Sequence, residues 1–190
     1  MKPGFILLSV LAATSLYALA AESVEKLAEP WVLAGETPKS YQIGIDRSQT
    51  ISGKGSKFIR YVNGEDKSWG TLMQMFAADQ YRNKRIRFQA RVKTREVDNR
   101  AGLWMRVDTV SKAETPFYNS EDKPIKGTTD WQLRSVVLDV PADAKAIAFG
   151  VLHEGKGQVW LDDLKLEVVG TDVPVDKMKP VKSLPTTPTL

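Results

Sequence analysis

Between Tyr41 and Val169 apolar and polar residues alternate with a period of two, and nothing sustains the 3.6-residue period of a helix. In Ile86-Arg87-Phe88-Gln89-Ala90-Arg91-Val92-Lys93, the residues Ile86, Phe88, Ala90 and Val92 share one face, and Arg87, Gln89, Arg91 and Lys93 the other. In Ala101 to Asp108, Leu103, Met105 and Val107 lie on one side, with Trp104, Arg106 and Asp108 opposite. Further strands are expected at Tyr41–Asp46, Lys57–Val62, Trp69–Phe76, Gln132–Val140, Ala146–Leu152 and Val159–Val169. Turn residues punctuate them at Gly53-Lys54-Gly55, Asn63-Gly64, Asp98-Asn99, Gly127-Thr128-Thr129-Asp130, Pro141 and Gly155-Lys156-Gly157. About eight or nine short strands with turns every ~8–15 residues describe an all-β antiparallel β-sandwich or barrel, and a jelly roll fits best. The helix candidates are short: Ser23–Ala28 and a turn around Ala77–Arg82.

The ends read differently. Lys2 precedes an apolar run from Phe5 to Leu19, and Ala18-Leu19-Ala20 places small residues where a signal peptidase reads them, so residues 1–20 are expected to be a cleavable signal helix. About 15 apolar residues fall short of the ~20 that span a bilayer, so the chain is not expected to span a membrane after cleavage. The domain proper then covers residues 21–169 and is expected in the periplasm or outside the cell. From Gly170 onward Pro174, Pro180, Pro185 and Pro188 recur among Thr, Val and Lys, and residues 170–190 are expected to form a disordered tail.

Composition narrows the chemistry. The 190 residues include no Cys and one His, which excludes a disulfide scaffold, a cysteine nucleophile and a multi-histidine metal site. No nucleophile elbow, zinc-protease helix, phosphate loop or dinucleotide fingerprint occurs, so the chain reads as non-catalytic. Net charge is +4, and Arg82, Lys84, Arg85, Arg87, Arg91, Lys93 and Arg95 crowd one stretch. With no aromatic ladder among them and an export signal ahead of them, nucleic acid is not the expected partner. An anionic glycan, a lipid headgroup or an acidic partner fits better, and a solvated strand face is the plainer alternative.

The order of motifs resembles bacterial jelly-roll domains related to carbohydrate-binding modules and the galactose-binding-like superfamily. It runs from Trp31 through Tyr41–Asp46 and Tyr81–Phe88 to Ala101–Asp108. It continues through Gly127–Trp131 and Val137–Pro141 to Val159-Trp160-Leu161-Asp162-Asp163-Leu164. More narrowly, it resembles a branch found alone after a signal peptide or appended to transcription regulators. The resemblance implies a sandwich with one concave binding face and names no sugar. In related modules an Asp of the closing strand helps hold a structural calcium with oxygens from the N-terminal segment. Asp162, Asp163, Glu36 and Asp46 are the residues placed to do so here, and hydrogen bonding that closes the sheet is the other reading. No other cofactor is implied.

If the two central strands are neighbours, their wet faces join into one patch of indole, guanidinium and amide groups: Trp104, Arg106, Arg87, Gln89 and Arg91, with Gln74 from the preceding strand. Such parts suit a sugar, which stacks on an aromatic plate and hydrogen-bonds to planar polar groups. The alternative for the patch is a solvated sheet face. Trp31, Trp131 and Trp160 read as core, Trp69 is ambiguous, and His153 reads as an inert loop residue. The functional expectation is therefore an exported, non-catalytic domain binding carbohydrate or another small polar or anionic ligand. The alternative is a periplasmic protein-interaction or sensory domain, with an envelope protein as partner and no sugar ligand.

Overall fold

The computed structural model describes residues 24–64, 68–111 and 115–179. The expected signal helix at 1–20 lies outside them. The described residues form nine strands, in order: β1 (Val32–Gly35), β2 (Tyr41–Asp46), β3 (Ser56–Tyr61), β4 (Trp69–Ala77), β5 (Lys84–Thr109), β6 (Phe117–Tyr118), β7 (Ile125–Val140), β8 (Ala144–Glu154) and β9 (Gln158–Val169). All neighbours pair antiparallel. The fold is an all-β jelly-roll sandwich, as the alternation implies. Helical structure among the described residues is confined to 3-10 turns at Pro38–Ser40 and Asp79–Tyr81. Residues 24–28 form no helix.

The strand that organises the molecule is β5, whose 26 residues serve both sheets. Its first half, Arg85 to Arg95, pairs with β9, and β9 continues through β3 to β2, while β7 flanks the other side. Its second half, Arg100 to Thr109, pairs with β8, which continues through β4 to β1, with β6 on the outer side. The first set forms a back sheet and the second a front sheet. Between them the β5–β7 ladder skips register three times, from Val92 to Ala101. Bulges of this kind bend a strand and let it pass from one sheet to the other. Glu96 sits at φ +53° in that corner and Gly127 opposite it at φ +68°, where a glycine avoids the Cβ clash. Polar bonds replace the missing ladder: Thr94 Oγ1 lies 2.9 Å from Thr129 Oγ1, and the Glu96 N–H donates to Thr128 Oγ1 at 3.0 Å. The turn residues at 98–99 and 127–130, expected to end strands, therefore mark a bent corner inside two long ones.

Ile86, Phe88, Ala90 and Val92 from the back sheet meet Leu103, Met105, Val107 and Phe149 from the front sheet in one core. Phe88 and Phe149 pack with ring centroids 4.5 Å apart across the two sheets. Because these inner faces pack together, the outward residues of the two halves of β5 point to opposite sides of the sandwich.

Residues 170–179, the first ten of the expected disordered tail, lie against the body. Val175 and Met178 pack on the core, and Arg85 donates through Nη1 to the carbonyls of Thr171 (2.7 Å) and Val173 (2.6 Å). Asp176 pairs with the outer edge of β7 at Val137, accepting its N–H at 2.9 Å and donating to its carbonyl at 2.9 Å. Residues 180–190 lie outside the described residues.

Candidate functional site

On the outer face of the front sheet a second, smaller apolar cluster forms apart from the core: Trp104, Ala148 and Leu152, with Trp69 and Met73 against them. The register explains its assembly. Gly150 of β8 lies between Met73 of β4 and Trp104 of β5, so the outward residues of three adjacent strands converge there. A Cβ on Gly150 would come within 2.1 Å of the Leu72 carbonyl oxygen, so this close approach of backbones requires glycine. Both faces of β8 are apolar from Ile147 to Leu152, the pattern of a strand covered on both sides.

The cluster floors a cleft of about 540 Å³ rimmed by polar groups. Trp104 is 8% exposed, and its Nε1 donates to Thr71 Oγ1 at 2.7 Å; the Thr71 hydroxyl in turn donates to the Val151 carbonyl at 2.9 Å. The indole is thus fixed in plane and offers the cleft only part of its surface. Trp69 stands half-buried at one side, beside Gly35, whose φ of +124° carries the chain around the indole. On the rim Arg100 pairs with Glu154 at 2.5 Å, and Arg106 grips Asp108 through Nε (2.7 Å) and Nη2 (3.2 Å). Asn119, Phe117 and Glu36 complete the wall. Two rim cations are thus matched by carboxylates, leaving hydrogen-bonding edges around an aromatic floor without a strong cationic field.

The expected single patch is divided. Trp104 and Arg106 line this cleft, whereas Arg87, Gln89 and Arg91 lie on the outer face of the back sheet, because β5 crosses between sheets at its corner. Arg87 is held by Glu167 at 2.9 Å through Nε. Gln74 shares the inward parity of Leu72 and Phe76 and lines a crevice with Trp31, Phe149 and Leu166 instead. Adjacency in sequence misled because a bent strand reverses the side on which alternate residues emerge. What sequence reasoning missed are Thr71, Met73, Arg100, Asn119, Leu152 and Glu154, and it left Trp69 undecided. The available signal was apolar residues on the outward parity of β4 and β8.

The four residues named for calcium do not assemble into one ligand set. Glu36 lies in the front cleft and Asp162 in the back sheet. The Asp162 carboxylate is already occupied: Oδ2 accepts from Ile51 N (2.6 Å), Ser52 N (3.0 Å) and Thr50 Oγ1 (3.0 Å), and Oδ1 from Asp163 N (2.8 Å). Burial alone would raise its pKa, yet these donors bring it down to about 2. Asp163 is exposed at φ +49°, within the bulge of β9 opposite Gln89–Arg91. Asp46 accepts from the Ser48 N–H and hydroxyl and from Trp160 Nε1 (2.8 Å). This donor set of N–H and hydroxyl groups does not fit a cation. The Asp of the closing strand ties down the 50–52 loop, which is the sheet-closing reading. Nor is His153 a loop residue: it is fully buried, packs edge-on against Tyr41 at 5.2 Å, and desolvation lowers its pKa. No helix among the described residues is long and apolar enough to cross a membrane.

No family model matches the sequence. An uncharacterized HTH-type transcriptional regulator of Bacillus subtilis (strain 168), YbfP, is 41% identical over 152 residues, covering 80% of this chain and 52% of the regulator. The chain thus spans about half the length of the curated relative it matches. Among solved structures, the C-terminal family 22 carbohydrate binding module of Clostridium thermocellum Xyn10B superimposes with a TM-score of 0.54 at 14% identity, covering 76% of this chain and 90% of that one. A protein from Bacteroides thetaiotaomicron described as a putative sugar binding protein superimposes with a TM-score of 0.52 at 14% identity, covering 79% and 96%. The chain has the jelly-roll fold of carbohydrate-binding modules.

Proposed function

We propose that this domain binds carbohydrate, without cleaving it, in the cleft on the outer face of its front sheet. One observation carries the reading: an apolar cluster containing two indoles, Trp69 and Trp104, lies outside the core on a strand-built floor and is rimmed by polar groups. Indole surface stacks against the C–H face of a pyranose, while arginine, amide and carboxylate edges exchange hydrogen bonds with its hydroxyls. The ion pairs at Arg100–Glu154 and Arg106–Asp108 compensate both rim cations and Glu36 adds a further carboxylate, so a neutral glycan suits the cleft better than an acidic one. The resemblance to carbohydrate-binding modules in fold supports the same assignment. The export signal read in residues 1–20 supports a periplasmic or extracellular setting, where polysaccharide is met.

Intrinsic tryptophan fluorescence, followed against a panel of neutral oligosaccharides, tests the proposal. At least one glycan should change the emission saturably in the native chain and fail to do so in Trp69→Ala. An unresponsive panel contradicts it. Similarity to a regulator favours a second reading, in which the same domain is a sensory or protein-interaction module. Capture from an envelope extract separates the two: a single co-purifying protein, with no glycan response, supports the second.

A further inference from the structure

The outer face of the back sheet carries a different arrangement. Cross-strand register places Gln42, Arg60, Gln158 and Arg95 in one row over β2, β3, β9 and β5. The next row holds Phe58 and Trp160 side by side. Each guanidinium lies over one of these rings, Arg60 at 5.4 Å from the Phe58 centroid and Arg95 at 5.3 Å from that of Trp160. Each is held by a neutral amide. Arg60 donates to Gln42 Oε1 through Nε (2.9 Å) and Nη2 (2.6 Å), and Arg95 donates to Gln158 Oε1 through Nη2 (2.8 Å).

The contrast with other arginines is what points to a ligand. Arg82, Arg85, Arg87, Arg100 and Arg106 each meet a carboxylate. Among the described residues, Arg60, Arg91, Arg95 and Arg134 meet none, and of these four Arg60 and Arg95 are the two that stack on aromatic rings and line one groove. They face a groove of about 630 Å³ whose acidic residues are already engaged: Glu25 pairs with Arg47, and Asp46 accepts from Ser48 and Trp160. Arg60 retains Nη1, and Arg95 retains Nε and Nη1, for an oxyanion. Stacked on aromatic rings and tethered by amides, both cations are pre-organised, so little rotamer entropy is lost on binding. Two strand spacings separate them, ~10 Å.

We propose that this groove is a second binding site, distinct from the front cleft, that takes an acidic glycan through oxyanion groups seated on Arg60 and Arg95. The two faces then divide recognition: a charge-paired cleft for neutral sugar in front, and an uncompensated guanidinium pair for charged groups behind.

Titrations of the isotopically labelled full chain, read by NMR at the indole and arginine Nε signals, provide the test. The probes are hexagalacturonate for carboxylates, inorganic phosphate for phosphate groups, and a neutral xylo-oligosaccharide as control. The acidic probes should perturb Trp160 and Arg95, and a response to one alone identifies which oxyanion the glycan carries. Raising salt from 50 to 200 mM should weaken binding several-fold. Arg60→Gln combined with Arg95→Gln should weaken it at least tenfold with an unchanged melting temperature, Arg60→Lys with Arg95→Lys less, and Trp69→Ala not at all. If neither acidic probe perturbs Trp160, or the double glutamine variant binds as the native chain does, the site is refuted, whatever happens in the front cleft.

Discussion

Trp69 and Trp104 share a cleft but answer to different demands. Trp104 is nearly sealed and spends its only donor on Thr71, so Trp104→Ala leaves a cavity and an orphaned hydroxyl partner. A loss of about 3–5 kcal/mol is expected, seen in chemical denaturation, along with lost sugar binding. Trp69 is half-buried and makes no such bond among the described residues, so Trp69→Ala should cost less, about 1 kcal/mol, and abolish binding. Equal stability losses in the two variants would contradict this division. Asp162 offers a pH-dependent check. Its carboxylate is held at about 2 against ~3.9 in the unfolded chain, so it contributes stability above pH ~4 that is lost as pH falls toward 2. At ~1.4 kcal/mol per pKa unit this amounts to about 2–3 kcal/mol. Acid unfolding of Asp162→Asn should show a flatter pH dependence in that window, and an unchanged profile would remove Asp162 from the account.

At the scale of elements, the exposed edge of β7 is the point most open to manipulation. Asp176 covers it by bonding both backbone groups of Val137, and Lys123 anchors the same carboxylate at 3.2 Å. Asp176→Ala keeps the backbone bond to the Val137 carbonyl but frees the Val137 N–H and Lys123, and should lower stability by about 1–2 kcal/mol and promote self-association through that unpaired N–H, measurable by melting and by light scattering. A variant that melts normally and stays monodisperse would show that the 170–179 segment is dispensable as an edge guard. Strand positions were legible from alternation alone, because period two is what a half-buried strand requires; Tyr41–Asp46 is recovered to the residue. The β5–β7 corner was not. Bulges at Thr94, Val97 and Gly127 break the alternation with the same Gly, Thr, Asp and Asn residues that make turns, so one long strand reads as two short ones. That single ambiguity split the expected ligand patch. Β1 and β6, with four and two residues, are too short to show a period.

Considered whole, the molecule is a sandwich with two dissimilar outer faces, and both derive from which outward positions carry aromatic side chains. In front, apolar residues on the wet side of β4, β5 and β8 build a floor that nothing in the described chain covers fully. Behind, Phe58 and Trp160 support guanidiniums. An indole in each place gives the protein built-in reporters, since its five tryptophans include Trp69 and Trp104 in the cleft and Trp160 in the groove. The most direct measurement is therefore the set of indole N–H resonances during titration with a neutral oligosaccharide selected from the fluorescence panel. Front-cleft binding predicts saturable shifts at Trp69 and Trp104 with Trp160 unmoved. Shifts confined to Trp160, or no indole response to any neutral sugar, would contradict it.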